Sequence, residues 1–243
     1  MSATPDMLRV AVIGASGRMG SAVCRAVADD PDTELVAEVR SRDGLDLVLD
    51  AGADVAVEFT LPSSVRRNAA WLLEHGVHTV VGASGLDDDD LEALGGLTGP
   101  ANCLVAPNFA LGAVLLMRFA EQAARVLPDA EITELHHDGK VDAPSGTALR
   151  TARLVAAARG EHRAPPGPVG HPARGQVVNG ICVHSVRLPG LVASQEIVFG
   201  GTGQTLTIRH DSLDRTSFMP GVLLAVKRVA TLPGLTVGLD SLL

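Results

Sequence analysis

Tyrosine is absent from this 243-residue chain, and Phe and Trp bring the aromatic share to only 2%. A nucleic-acid surface built on stacked rings has few platforms here, and a formal net charge of −8 removes the basic footprint that phosphate backbones require. Cysteine is equally sparse. Cys24, Cys103 and Cys182 are odd in number, widely spaced and without a CxxC pair, which argues against a disulfide framework and against a zinc site. They are expected as small buried apolar residues. No apolar run approaches the roughly 20 residues of a membrane span, and Met1 to Met7 has neither the basic start nor the apolar stretch of a signal peptide. Nucleic acid and membrane are set aside as partners, and the expected location is cytoplasmic.

What remains is an ordinary globular composition, 46% hydrophobic and 20% charged, with length for one large domain or two modest ones. The core must be built from Val, Leu, Ala and Ile. From Leu8 to about Leu104, short apolar runs alternate with helix-like segments: LRVAVI, MGSAVCRAVA, ELVAEV, VAVEF, SSVRRNAAWLLEHG, HTVVG, a helix near Leu86 to Leu97, and CLVAP. This alternation predicts a parallel, doubly wound sheet. After Leu111 the rhythm changes. Amphipathic LGAVLLMRFAEQAARVL leads to the strand AEITEL, the block HHDGKVDAPSGT and a helix near Thr147 to Ala158.

Gly160 to Gly175 is rich in Pro and Gly and reads as a mobile surface excursion. The runs GICVHSVRLPG, SQEIVFG and QTLTIRH follow, separated by short Gly-containing turns, and predict an antiparallel or mixed sheet; FMPGVLLAVKRVA is again helical. The predicted fold class is therefore α/β. A doubly wound parallel-sheet, dinucleotide-binding domain runs from Met1 to about Phe109 and is rejoined by the final helix from about Thr216. A smaller α+β domain with a mixed sheet runs from about Ala110 to Arg215.

Gly14-Ala15-Ser16-Gly17-Arg18-Met19-Gly20 follows the strand RVAVI and opens a helix, the context that marks a dinucleotide turn. Glycines there let backbone approach a pyrophosphate, the amides of the helix start attract its charge, and Arg18 adds a cation. The spacing is GxxGxxG, so a plain tight turn is the alternative. In such folds the residue ending the second strand meets the adenosine ribose, an acid favouring a free 2′-hydroxyl and an Arg favouring a 2′-phosphate. Arg40 stands there, about 20 residues past the last glycine, with Arg42 close behind. This tilts the cofactor toward NADPH over NADH; Glu38 is the alternative ribose partner.

The second cluster is ELHHDGKVDAPSGT, from Glu134 to Thr147. His136, His137 and Lys140 come directly after a predicted strand, and Ser145-Gly146-Thr147 begin the next helix. Cations are thereby gathered beside a helix N-terminus, a setting for a carboxylate, with Ser145 as cap and the amides of Gly146 and Thr147 available to an anion. The bland alternative is a structural His and an ordinary capping sequence.

These blocks together resemble the 4-hydroxy-tetrahydrodipicolinate reductase (dihydrodipicolinate reductase) family of diaminopimelate and lysine synthesis, over nearly the full length. The resemblance rests on GASGRMG at Gly14, VEFTLP at Val57, VVGASG at Val80, APNFALG at Ala106, ELHHDGKVDAPSGTA at Glu134 and IRHDSLDRTSFMPGV at Ile208. It implies NAD(P)H-dependent reduction of a cyclic unsaturated imine dicarboxylate, giving tetrahydrodipicolinate. Gly14 to Met19 would form the pyrophosphate loop, Arg40 the ribose-side residue, and Phe59 and Thr60 part of the cofactor cleft. Gly82, Ala83, Ser84, Ala106, Pro107, Asn108 and Phe109 would lie along the nicotinamide half. His136 and Lys140 match the catalytic pair, Lys140 binding and donating, His136 shuttling a proton. His137, Gly146 and Thr147 match the holders of the substrate carboxylates. Family members are typically homotetramers joined through the second domain's sheet. Two departures stand out: Gly139 replaces a frequent further His, and GASG replaces GTTG.

Three rival readings follow from the residues alone. One is a two-domain dehydrogenase of a sugar or amino acid, and another a regulator that binds NADPH without chemistry. The third is a metalloenzyme using His136, His137 and His162 or His171, which the adjacent spacing supports poorly; no metal is expected.

Overall fold

The computed structural model describes residues 7–160, 164–168 and 170–243. The chain divides into two compact units. One holds the residues up to Phe109 together with Phe218–Leu243, the other Ala110–Ser217.

In the first unit, strands and helices alternate as β1 (Leu8–Ile13), α1 (Arg18–Asp29), β2 (Thr33–Val39), α2 (Asp46–Asp50), β3 (Val55–Glu58), α3 (Pro62–Glu74), β4 (His78–Val81), α4 (Asp88–Leu97) and β5 (Cys103–Val105). In the second unit follow α5 (Leu111–Ala124), β6 (Asp129–His136), α6 (Gly146–Ala158), β7 (Gln176–Val178), β8 (Ile181–Arg187), β9 (Ala193–Gly201) and β10 (Gln204–Ser212). The chain then returns to the first unit with α7 (Met219–Arg228) and β11 (Leu235–Val237).

The first sheet has the order β11-β5-β4-β3-β1-β2 and every pairing in it is parallel. Its central strands are Val- and Ala-rich with almost no polar alternation, because helices cover both faces of a parallel sheet. Val55, Ala56 and Val57 are fully buried. Between sheet and helices, Ala11, Ile13, Val39 and Ala56 pack with Leu72 of α3, and Val81, Cys103 and Val105 pack with Val65, Leu73 and Leu94. Helix α4 starts on a reciprocal cap, Asp87 accepting from the Asp90 amide and Asp90 from the Asp87 amide.

The second sheet is mixed, in the order β10-β9-β6-β8-β7, with β6 and β8 parallel and the other pairs antiparallel. One face, carrying Ile132, Ile181, Val183, Ile197 and Phe199, is buried, and α5 and α6 pack against these strands. All three cysteines are free and buried. Among the described residues no helix is long and apolar enough to cross a membrane.

Several boundaries and small elements differ from the sequence expectation. The return to the first unit begins at Phe218, with Arg215–Phe218 as a 3-10 turn ahead of α7, so the helix predicted from about Thr216 starts later. The short α2, β7 and β11 were not predicted; elements of three to five residues are too brief to show a period. Of the Pro/Gly-rich segment, the described part includes a 3-10 turn at Pro172–Arg174, and residues 161–163 and 169 lie outside the described residues.

Candidate active site

Within the first unit, the carboxyl ends of five consecutive strands carry the residues singled out for a dinucleotide. Gly14 follows β1, Arg40 follows β2, Phe59 and Thr60 follow β3, Gly82 to Ser84 follow β4, and Ala106 to Phe109 follow β5. Strand order reverses at β1, which lies between β2 and β3, and a crevice outside such a switch point is where open α/β sheets bind ligands. A cleft of about 590 Å³ opens there, lined by Gly14, Ser16, Gly17, Arg40, Phe59 and Thr60 among others.

Glycine is required in this turn. Gly14 has φ +83°, and a Cβ on it would lie 2.6 Å from the Phe59 carbonyl oxygen. A Cβ on Gly20 would meet the Gly14 carbonyl oxygen at 2.1 Å, so α1 packs directly on the turn. Helix α1 begins after Gly17 with no side-chain cap and no acid in its first turn, which leaves its amides for an anion. This cradle fits a dinucleotide pyrophosphate. Arg18 is exposed at the first helical position, and Ala15 is buried beneath the turn.

Around the cleft, Arg40 is exposed and makes an ion pair of 3.1 Å with Glu38, so the two candidate ribose partners face each other. Its amide donates to Asp43. Further in, Gly82 is held glycine by two rings: an added Cβ would lie 2.2 Å from Phe59 and 2.8 Å from Phe109. The rings sit 5.7 Å apart and tilted. Phe59, Gly82 and Phe109 are thus one contact group drawn from three strand ends. Behind them Glu58 is fully buried; it accepts from the Thr60 hydroxyl and from the Asn68 side chain at 3.1 Å. Burial pushes its carboxyl above the usual carboxylate range despite these bonds.

In the second unit the HH-to-SGT block forms a connected network. His136 is the last residue of β6, in register with Ala193 on β9 and Arg187 on β8, so it belongs to the strand and does not follow it. Glu134, two residues earlier on the same face of the strand, is fully buried. Its carboxylate accepts from His136 Nδ1, from Arg187 Nη1 at 3.0 Å and Nη2 at 2.7 Å, and from the Ser145 amide at 3.3 Å. Arg187 Nη2 also donates to the Asp142 carbonyl at 2.6 Å. Lys140 Nζ donates to both Asp142 carboxylate oxygens, at 2.7 and 2.9 Å.

Burial works to raise the Glu134 carboxyl, but the bonds from Arg187, Ser185 and His136 together outweigh it and hold it below the usual range. Burial holds the His136 imidazole below its ordinary range against the support of Glu134. The Lys140 ammonium holds the Asp142 carboxyl low. Ser145 caps α6 by accepting from the Ala148 amide at 3.2 Å and is almost completely buried. Gly146 and His137 are exposed, Thr147 half-buried. The His137 carbonyl accepts from the Lys140 amide at 3.2 Å, closing the turn that carries Lys140. Gly139 needs no special backbone, and a Cβ there would make only ordinary contact, 3.4 Å, with the His137 ring.

Two family models cover the chain: "Dihydrodipicolinate reductase, N-terminus" matches residues 8–109 and "Dihydrodipicolinate reductase, C-terminus" matches residues 112–243. The chain belongs to the dihydrodipicolinate reductase family. Within it, the 4-hydroxy-tetrahydrodipicolinate reductase of Cutibacterium acnes is 56% identical over 98% of this chain and 99% of that protein. A dipicolinate-bound dihydrodipicolinate reductase from Paenisporosarcina sp. TG-14 superposes with a TM-score of 0.87 at 38% identity, covering 98% of this chain and all of that one. An apo scyllo-inositol dehydrogenase from Lactobacillus casei gives a TM-score of 0.63 at 13% identity over 98% of this chain and 93% of that one, a likeness of fold alone.

Three residues of the candidate site were not singled out from the sequence: Glu134, Asp142 and Arg187. The first had a readable signal, since in a strand of period two Glu134 and His136 share a face. Asp142 stands two residues from Lys140, in a stretch whose capping signal is Ser145. Arg187 is 53 residues from Glu134 and gave no signal. The cluster expected to concentrate positive charge is instead compensated by carboxylates of its own. His171 accepts from the Ala173 amide at the start of its 3-10 turn, and His162 lies outside the described residues. Among the described residues no group of three or more His, Cys, Asp or Glu is placed to hold a metal.

Proposed function

We infer that the chain catalyses the NAD(P)H-dependent reduction of 4-hydroxy-tetrahydrodipicolinate to tetrahydrodipicolinate in diaminopimelate and lysine biosynthesis. One observation carries the reading at this chain's own site: Lys140 already holds a carboxylate, that of Asp142, in a chain 38% identical to a dipicolinate-bound reductase. An ammonium paired with an exposed internal carboxylate can exchange it for one of the substrate's at little net cost, since surface ion pairs contribute about 0–1 kcal/mol.

The division of labour is as follows. The first unit holds the dinucleotide, with Gly14 to Met19 around the pyrophosphate and Phe59 and Thr60 in the cleft. Gly82 to Ser84 and Ala106 to Phe109 take the nicotinamide half. When bound, the nicotinamide supplies a hydride to the substrate ring. The second unit holds the dicarboxylate. His137, Gly146 and Thr147 bind its carboxylates, Ser145 shapes the start of α6, and Lys140 binds and donates toward developing negative charge. His136, neutral at pH 7 because burial keeps its imidazole low, takes up a proton from water and passes it to the ring that has received the hydride.

Arg40 favours a 2′-phosphate, which can displace the single charge of Glu38 in an exposed pair; Asp43 beside it keeps the preference for NADPH modest. The enzyme acts in the cytoplasm as a homotetramer joined through the mixed sheet, whose strand β10 exposes Leu206. The decisive experiment is oxidation of NADPH and of NADH by the purified protein with the pathway intermediate generated in a coupled reaction. Substrate-dependent oxidation is expected with both, faster per unit concentration with NADPH, and its absence would defeat the reading. Arg40→Asp should move the kcat/KM ratio toward NADH by roughly tenfold, about 1.4 kcal/mol.

A further inference from the structure

His136 and Lys140 are joined by one continuous chain of contacts inside the second unit. It runs from His136 Nδ1 to the Glu134 carboxylate, on to the Arg187 guanidinium, from Arg187 Nη2 to the Asp142 carbonyl, and from the Asp142 carboxylate to Lys140 Nζ. Every segment carrying a candidate substrate contact is tied to this chain, since the start of α6 enters it through the Ser145 amide. We propose that Glu134 is the positioning residue of His136: it fixes the tautomer and the orientation of its ring. The proposal rests on the reading of His136 as the proton-handling group.

The tautomer follows from the charge of Glu134. A carboxylate only accepts, so the ring nitrogen facing it must carry the proton, and in the neutral ring Nε2 is left as the acceptor. Arg187 keeps that carboxylate ionised by binding both oxygens in a fork. It also cancels much of the charge that His136 would otherwise feel. Glu134 therefore orients the ring without making it a permanent imidazolium. The charged groups around His136 are Glu134 on its own strand, Arg187 on β8, and Lys140 with Asp142 on the following turn; its β9 neighbour is Ala193. A Glu at this depth with no such task would be an expensive choice, since an ion pair so buried gains little over well-packed apolar residues.

Two measurements test this. Nitrogen-15 NMR of the histidine rings in the wild-type holoprotein, at a pH where His136 is neutral, should show its proton on Nδ1; a neutral His136 protonated on Nε2 overturns the proposal. This measurement needs no variant and stands even if a substitution at Glu134 impairs folding. The second is a double-mutant cycle in kcat with Glu134→Gln, His136→Ala and the double variant, cofactor dissociation constants being measured alongside. Glu134→Gln alone should slow turnover roughly 10- to 100-fold with the cofactor constant within about twofold of wild type. In the His136→Ala background the same change should cost less than about twofold. An equal loss in both backgrounds would mean that Glu134 serves the fold and not His136, overturning the proposal alone. His136→Ala at wild-type rate would overturn the reading on which it rests as well.

Discussion

In the first unit the turn offered to a ligand is backbone and glycine, whereas in the second the candidate site is a set of polar side chains, mostly ionised, that already satisfy one another. The cleft of the first unit is shaped by what is missing: a Cβ at Gly14 or Gly82 would strike Phe59 at 2.6 and 2.2 Å, so Phe59 can pack against both only because they are glycine. The candidate substrate site is shaped by pairing, with Glu134 holding His136 and Arg187 and Asp142 holding Lys140. A pyrophosphate takes up hydrogen-bond donors that have no internal partner of their own, while a substrate carboxylate must compete with the protein's own. Rigidity is thus the virtue of the first region and exchange that of the second.

The largest effect that would sharpen this contrast is expected for Lys140→Ala. Turnover should fall by about 10²–10⁴, while the dissociation constant for reduced cofactor, followed by its fluorescence, stays within about twofold. A variant turning over at near the wild-type rate would remove Lys140 from the chemistry and dissolve the distinction between the regions. Next comes Gly14→Ala, which forces a Cβ into a left-handed backbone against the Phe59 carbonyl. Strain of about 1–3 kcal/mol should weaken cofactor binding roughly 10- to 100-fold. Unchanged binding would show that the turn relaxes and that the cleft is not preformed.

The pH dependence of stability probes the second region more gently. Burial places the folded pKa of His136 below its unfolded value, so between the two the unfolded chain binds a proton that the native chain does not, and stability falls as pH drops through about 6.5. His78 and His210, lowered by burial, act in the same direction, and Glu58, raised by burial, acts in the opposite one. The comparison with His136→Asn isolates the one group. Its urea midpoint should change less than that of wild type between about pH 7.5 and 5.5, by at most about 1.4 kcal/mol per pH unit. Identical slopes would mean that the native ring titrates like a free one. The smallest effect is expected for Gly139→His, the family's frequent residue. With ordinary backbone at that position and only van der Waals contact with the His137 ring, the melting temperature should stay close to wild type, within about 0.5 kcal/mol; a large loss would show that Gly139 shapes the turn carrying Lys140.

The first region was legible because its signals are local. GASGRMG between an apolar strand and a helix reports a turn and an uncapped helix start within seven residues, and the alternation of strands with helices reports the parallel sheet. Arg40 was placed by counting along one strand. The second region was half legible. His136, Lys140 and Ser145 stand within ten residues of each other, and the capping role of Ser145 could be read directly. What the cations pair with could not be read, and neither could the position of His136 inside the strand, because the end of β6 is set by its ladder with β8 and β9. Short elements such as α2 and β11 escaped for want of a period.

By itself, then, the order of residues determined the two-unit architecture, the glycine turn with its room for a dinucleotide, and the family to which the site blocks belong, since each depends on neighbours within a turn or two of chain. Only the tertiary structure decided the electrostatic state of the substrate site. Glu134 and Arg187 meet because β6 and β8 run parallel in one particular register that sets Glu134 opposite Ser185 and His136 opposite Arg187. A shift by one residue would turn each of these side chains to the other face of the sheet. Register is the outcome of packing a whole sheet, and that is why Arg187, the partner of Glu134, lay beyond the reach of the sequence around it.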